Sequence, residues 1–215
     1  MATGGQKENG FSLIDVGGVS LENPNEFNPW YIGIVVYRDM IFVIDWREFK
    51  VLLYGLHDGK LLYESDTMES WPRAICLIND TEIAVILWDG LIKFTSIDST
   101  HNTRVITWTR TLFAQGGLDE YHGVVSFKDD LVVSGVKENT VCWCIVSRTD
   151  GHVVGTIHQV CKGKNILLWS FLTTKDNMIY ISCGVDTPNT GVYAYDIQNP
   201  SKYKYRYRHK DLKSP

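Results

Sequence analysis

Hydrophobic positions along this chain fall in short β-branched and aromatic runs, separated by Gly, Asp, Asn and Lys. No apolar pattern of period 3.6 is sustained between helix caps, so strands are expected throughout. Ile32 to Tyr37 runs into Arg38-Asp39, then Met40 to Asp45, then Val51 to Tyr54. His57-Asp58-Gly59 reads as a hairpin turn, because Asp-Gly supplies the positive-φ positions such a turn needs. Leu61 to Tyr63 completes a four-strand unit in about forty residues.

The same order then recurs. Ala74 to Ile78, Ile83 to Leu87, Leu91 to Phe94 and Arg104 to Trp108 form a second set. Gly123 to Phe127, Leu131 to Ser134, Val141 to Val146 and Val153 to Ile157 form a third. Ile166 to Phe171, Met178 to Ser182, Val192 to Tyr195 and Tyr203 to Arg208 form a fourth. The turn aspartates Asp39, Asp80, Asp130 and Asp176 are 41, 50 and 46 residues apart.

Four strands per unit at that period predict an all-β fold, a β-propeller with four recognisable four-stranded blades. A two-sheet sandwich also spaces its strands evenly, but it does not require the whole unit to recur with its turn chemistry in register. One such sheet cannot bury both faces alone, so each blade needs a neighbour. The near-continuous apolar second strands fit a sheet covered on both faces. The propeller is expected over residues 11–215, after a flexible stretch at 1–10, with blades near 29–66, 72–110, 122–158 and 165–209. Phe11 to Val16 reads as a lone strand, either a clasp of a closed four-bladed ring or part of an incomplete six-bladed one. The incomplete ring is the favoured expectation, and its open blade edges would be prone to self-association.

Composition narrows the class. Of 215 residues, 44% are hydrophobic and 12% aromatic, which supplies a core and excludes a disordered or disulfide-stapled chain. No run approaches a membrane span, and Met1 to Gly10 holds no apolar segment of a secretory signal. A cytoplasmic protein with reduced thiols is expected from the odd set of five cysteines, which lacks CxxC spacing.

Candidate chemistry is sparse. Cys142-Trp143-Cys144 puts two thiols on one face of a strand, which suits core packing better than zinc. His152 and His158 share parity, but no third ligand accompanies them. No catalytic elbow or phosphate loop occurs, so no enzyme, metal or cofactor is expected. A calcium-dependent hydrolase would need carboxylates converging on a central channel, for which Asp45, Asp89, Asp186 and Asn189 are the available residues.

Net charge is −4, yet residues 202–213 carry +5, which leaves −9 elsewhere. In Lys202-Tyr203-Lys204-Tyr205-Arg206-Tyr207-Arg208, strict alternation sends tyrosines to one face and cations to the other. Lys204, Arg206 and Arg208 are therefore candidates for binding phosphates or an acidic partner, although the favoured expectation is an outer strand whose tyrosines pack inward and whose cations guard its edge. Trp46-Arg47 and Trp88-Asp89 fall at equivalent loops of successive blades, opening on one rim. Trp46, Arg47 and Trp88 are candidate anchors for a partner, although tryptophans there also serve as blade spacers.

Several segments resemble the NHL-type propellers of tripartite-motif-like proteins. These are Asp39 to Asp45 with Lys50 to Tyr54 and Asp58 to Leu62, Trp71-Pro72-Arg73-Ala74-Ile75-Cys76 leading to Glu82 to Val85, His122-Gly123-Val124, Met178 to Ser182, and Tyr207 to Pro215. The resemblance covers residues 27–215 and rests on many diffuse matches. It implies a recognition platform that holds a protein, or alternatively an RNA. The zinc array, B-box and heptads of the ligase part are missing from this sequence, so ubiquitin transfer is not implied for it.

Overall fold

In a computed structural model, the described residues are 21, 30–97, 106–162, 172–183 and 191–207. They form four antiparallel four-stranded sheets arranged as a β-propeller. The first blade is β1 (Tyr31–Tyr37), β2 (Met40–Asp45), β3 (Lys50–Gly55) and β4 (Leu61–Glu64). The second is β5 (Pro72–Asn79), β6 (Glu82–Leu87), β7 (Leu91–Ile97) and β8 (Ile106–Phe113). The third is β9 (Glu120–Phe127), β10 (Asp130–Lys137), β11 (Thr140–Ser147) and β12 (His158–Lys162). The fourth is β13 (Leu172–Lys175), β14 (Met178–Cys183), β15 (Gly191–Asp196) and β16 (Tyr203–Tyr207). Within each sheet the strands lie side by side in chain order.

The first strand of each blade is innermost: β1 packs on β5, β5 on β9, and β9 on β13. Strand alternation explains why the second strands are apolar at nearly every position. In β6, Ile83, Val85 and Leu87 face the first blade, while Ala84 and Ile86 face the third. In β11, Cys142 and Cys144 face the second blade, while Val141 and Trp143 face the fourth. Every such residue is buried, and each buried Ile, Val or Leu contributes about 1.5–3 kcal/mol. The two thiols of Cys142-Trp143-Cys144 are packed in the core as the sequence indicates.

Two glycines are set by close approach. Gly90, at φ +92°, closes the Trp88-Asp89-Gly90 turn, and a Cβ there would lie 2.7 Å from the Tyr121 ring. At Gly135, where the β9–β10 register shifts, a Cβ would run into the Glu120 carbonyl.

The structure departs from the sequence expectation in several places. Val153 makes only a single bridge, to Val146, and the outer strand of the third blade follows later, at β12. His152 therefore lies before that strand and does not share it with His158. Asp130 opens β10, leaving Lys128-Asp129 in the turn, with Lys128 at φ 53°. Cys161 and Cys183 form a disulfide between β12 and β14, so the thiols are not all reduced. The pairing is invisible in the sequence because it arises where two blades abut. Residues 1–10, the strand Phe11 to Val16 and the run Ile166 to Phe171 lie outside the described residues. Among the described residues no helix is long and apolar enough to cross a membrane.

Candidate functional site

Trp30 and Trp71 stand immediately before β1 and β5, while Trp46 and Trp88 follow β2 and β6. Antiparallel pairing brings the start of a first strand beside the end of the second. The Trp46 amide accordingly donates to the Trp30 carbonyl at 3.0 Å, and the Trp88 amide to the Trp71 carbonyl at 2.8 Å. Two blades in sequence thus place four indoles on one end of the propeller.

The rings form an unbroken arc. Centroids are 5.4 Å apart for Trp30–Trp46, 5.7 Å for Trp46–Trp71 and 5.5 Å for Trp71–Trp88. His122, on β9, continues the arc at 5.9 Å from Trp88. Trp30 and Trp71 are exposed, at 50% and 42%, whereas Trp46 and Trp88 are half-buried. Two guanidinium groups lie over these rings: Arg47 is 5.2 Å from Trp30, and Arg73 is 4.3 Å from Trp88. Spacings in this range are favourable for edge, tilted or cation–π contacts, so the arc is held rigid before any partner arrives.

Arg73 and His122 also line the central cavity, about 620 Å3, bordered by residues of β1, β5, β9 and β13. Arg73 is buried with its Nε unpartnered, and burial pushes its pKa down. His122 shares its Nε2 with Glu120 Oε2 at 3.1 Å, and its Nδ1 is buried without a partner. Burial holds the imidazole below its ordinary value, against an opposing pull from Glu120.

Of the residues singled out from sequence, Trp46, Arg47 and Trp88 are brought together in this arc. Lys204 and Arg206 sit on a different blade, on β16, and Arg208 lies outside the described residues. Tyr203 packs inward on Tyr193 and Tyr195 as expected, but a β-bulge at Ala194/Tyr195 inverts the alternation over the rest of β16. Pairing opposes Arg206 to Tyr193, which faces the third blade, and Arg206 lies 5.1 Å over that ring. Tyr205 and Tyr207 consequently point away and are 64% and 60% exposed.

The carboxylates considered for calcium have turn-forming roles. Asp45 Oδ1 accepts the Arg47 amide at 2.9 Å, and Asp89 Oδ1 accepts the Leu91 amide at 3.1 Å. Asp186 and Asn189 lie outside the described residues. Among the described residues no group of three potential metal ligands occurs. Burial pushes the Cys76 and Cys144 thiols up to about 12, so neither is a thiolate at neutral pH.

Arg73 and His122 are the functional candidates that sequence patterning did not single out. Their signal was present as a cation and an imidazole near the starts of otherwise apolar inner strands. Trp30 and Trp71 were legible only as residues that open a blade.

No protein-family model matches the chain, and no curated protein matches it by sequence. Solved structures do match in shape. The chain is similar to a chain of a nidogen/laminin complex, with 16% identity, TM-score 0.59, and coverage of 82% of this chain and 64% of that one. It is similar to the glutaminyl cyclase of Myxococcus xanthus, with 14% identity, TM-score 0.57, and coverage of 80% and 68%. It is also similar to the Cps50 (Swd1) β-propeller domain of Myceliophteria thermophila, with 11% identity, TM-score 0.53, and coverage of 72% and 51%. Identities this low establish a shared fold and nothing finer.

Proposed function

We propose that the chain is a non-catalytic recognition module that docks a protein partner on its tryptophan arc. The observation that carries this reading is the contiguous Trp30–Trp46–Trp71–Trp88–His122 series with Arg47 and Arg73 over its rings. Trp and Arg are the residues most enriched among binding hot spots, and rigid rings lose little entropy on docking. Two cations beside exposed indoles suit a partner segment that mixes acidic and apolar side chains. The resemblance to NHL-type propellers supports a finer version, in which the arc selects substrates for a ubiquitin ligase acting from elsewhere. The matched folds include a chain of a nidogen/laminin complex and an enzyme, so the fold by itself favours neither class.

The test is a pull-down with Trp46, Arg47 and Trp88 replaced by alanine, alongside a circular dichroism spectrum. Partners lost from a folded variant would support the arc, and an unchanged partner set would reject it. An RNA-binding reading has one observation of its own: β16 exposes Tyr205 and Tyr207 beside Lys204, a surface on which bases could stack. A gel shift with single-stranded RNA over a salt series decides it, since phosphate binding weakens steeply with salt. Self-association through blade edges belongs to the same proposal, and the mass in solution tests it. A cytoplasmic setting sits against the Cys161–Cys183 disulfide, which a reducing compartment would open. Thiol counting on protein taken from unstressed cells resolves that conflict.

A further inference from the structure

The central channel has mostly apolar walls, with Arg73, His122 and Tyr31 as the polar exceptions, the last already hydrogen-bonded to Tyr54. Ile32, Ile75, Val124 and Leu172, one from each inner strand, represent the walls, and the cavity of about 620 Å3 has the size of a small-molecule site. Arg73 is only 7% exposed, and no carboxylate among the described residues pairs with it. Its Nε has no hydrogen-bond partner. A buried guanidinium with no carboxylate in direct ion-pair contact is the feature that most directly calls for an anionic ligand. Glu120, the acidic residue acting on Arg73, is engaged by His122 Nε2 at 3.1 Å.

His122 adds a second requirement. When Nε2–H donates to Glu120, the neutral ring presents Nδ1 as an acceptor, and that atom is buried without a partner. Arg73 and His122 line the same cavity and both contact the Trp88 indole, so one small molecule can reach both. We propose that the channel binds a small monocarboxylate with an apolar body and a hydroxyl or N–H beside the carboxylate. Arg73 donates to the carboxylate, the neighbouring donor satisfies His122 Nδ1, and the hydrocarbon lies against the inner strands. One negative charge fits better than two, because Glu120 stands close by. The site shares Arg73 and His122 with the tryptophan arc, but ligand binding in the channel does not require a protein docked on that arc.

Three probes test the assignment on the full chain by NMR titration: 3-phenyllactate, 3-phenylpropionate and 3-phenylpropanol. The expected order is phenyllactate tightest, phenylpropionate about tenfold weaker for the lost hydrogen bond, and the uncharged alcohol weaker again by about tenfold or more. Arg73→Gln should abolish the preference for carboxylate over alcohol, and Arg73→Lys should restore part of it. Equal affinity for the alcohol and the acids would overturn the proposal, as would an unaltered preference in Arg73→Gln. So would the lack of saturable shifts with any probe at about 10 mM, weaker than site-specific recognition of a charged ligand. Should Arg73→Gln fail to fold, the ranking of the three probes on the unmodified protein still decides.

Discussion

Among the described residues, two aromatic clusters each set a tryptophan beside a histidine. At one end of the first two blades, the arc from Trp30 to Trp88 reaches His122 and is interleaved with Arg47 and Arg73. Between the third and fourth blades, Trp143 packs in tilted contact with His158 at 4.3 Å and with Tyr195 at 5.5 Å, and Trp143 is wholly buried. The residue type is the same, but its place in the repeat differs. Trp143 stands mid-strand at the parity that faces the next blade, whereas the arc indoles stand at strand ends, where no neighbouring sheet covers them. In a propeller, position within the four-strand unit thus decides whether an indole holds blades together or meets a partner.

The largest expected effect lies in the buried cluster. Trp143→Ala should cost about 3–5 kcal/mol, because removing the ring leaves a cavity between two blades. Trp71→Ala, at 42% exposure in the arc, should cost under about 1 kcal/mol. Urea unfolding of both variants measures the gap. Equal losses would erase the distinction between the clusters.

Next in size is the effect on recognition. Trp46→Ala or Trp88→Ala should weaken the partner by about 2 kcal/mol, roughly thirtyfold, as central aromatic anchors do. Tyr205→Ala on β16 should leave that affinity within a factor of about two, since an exposed edge tyrosine is a rim contact at most. Calorimetry with the partner recovered in the pull-down measures both. A larger loss at Tyr205 would move the site to the fourth blade.

The repeat was legible because its signals are local. Apolar runs of alternating parity, two-residue turns and Asp-Gly hairpins each depend on neighbours in the chain, and they place the starts of the second strands within one residue. Trp46 and Trp88 were legible for the same reason, at matching loops. Long-range facts were not. The Cys161–Cys183 disulfide joins two packed sheets, the Arg73–Trp88 contact joins paired strands of one sheet, and no spacing rule encodes either. The face of Arg206 was misread because alternation gives parity, but the pairing with Tyr193 decides which parity faces inward. The outer strand β12 was misplaced because Val153 to Ile157 has strand composition, yet only Val153 bridges, to Val146.

The smallest effect distinguishes the two histidines. Burial holds both His122 and His158 below the ordinary value of 6.5, so near pH 6 the unfolded chain binds more protons than the folded one. Their contribution to stability is therefore complete above about pH 6.5 and is lost as the pH falls below it. His158 responds to burial alone, beside Trp143 and with Thr156 Oγ1 at 3.2 Å from its Nε2. His122 is pulled in opposite directions by Glu120, which favours the imidazolium, and Arg73, which opposes it. Urea midpoints measured from pH 7.5 to 5.5 should decline, and His158→Gln and His122→Gln should each flatten part of that decline. Glu120→Gln should steepen it, since removing the carboxylate leaves His122 facing Arg73 alone. If both histidine variants kept the full slope, acid sensitivity would reside in the carboxylates, and the two clusters would not differ in how they hold their imidazoles.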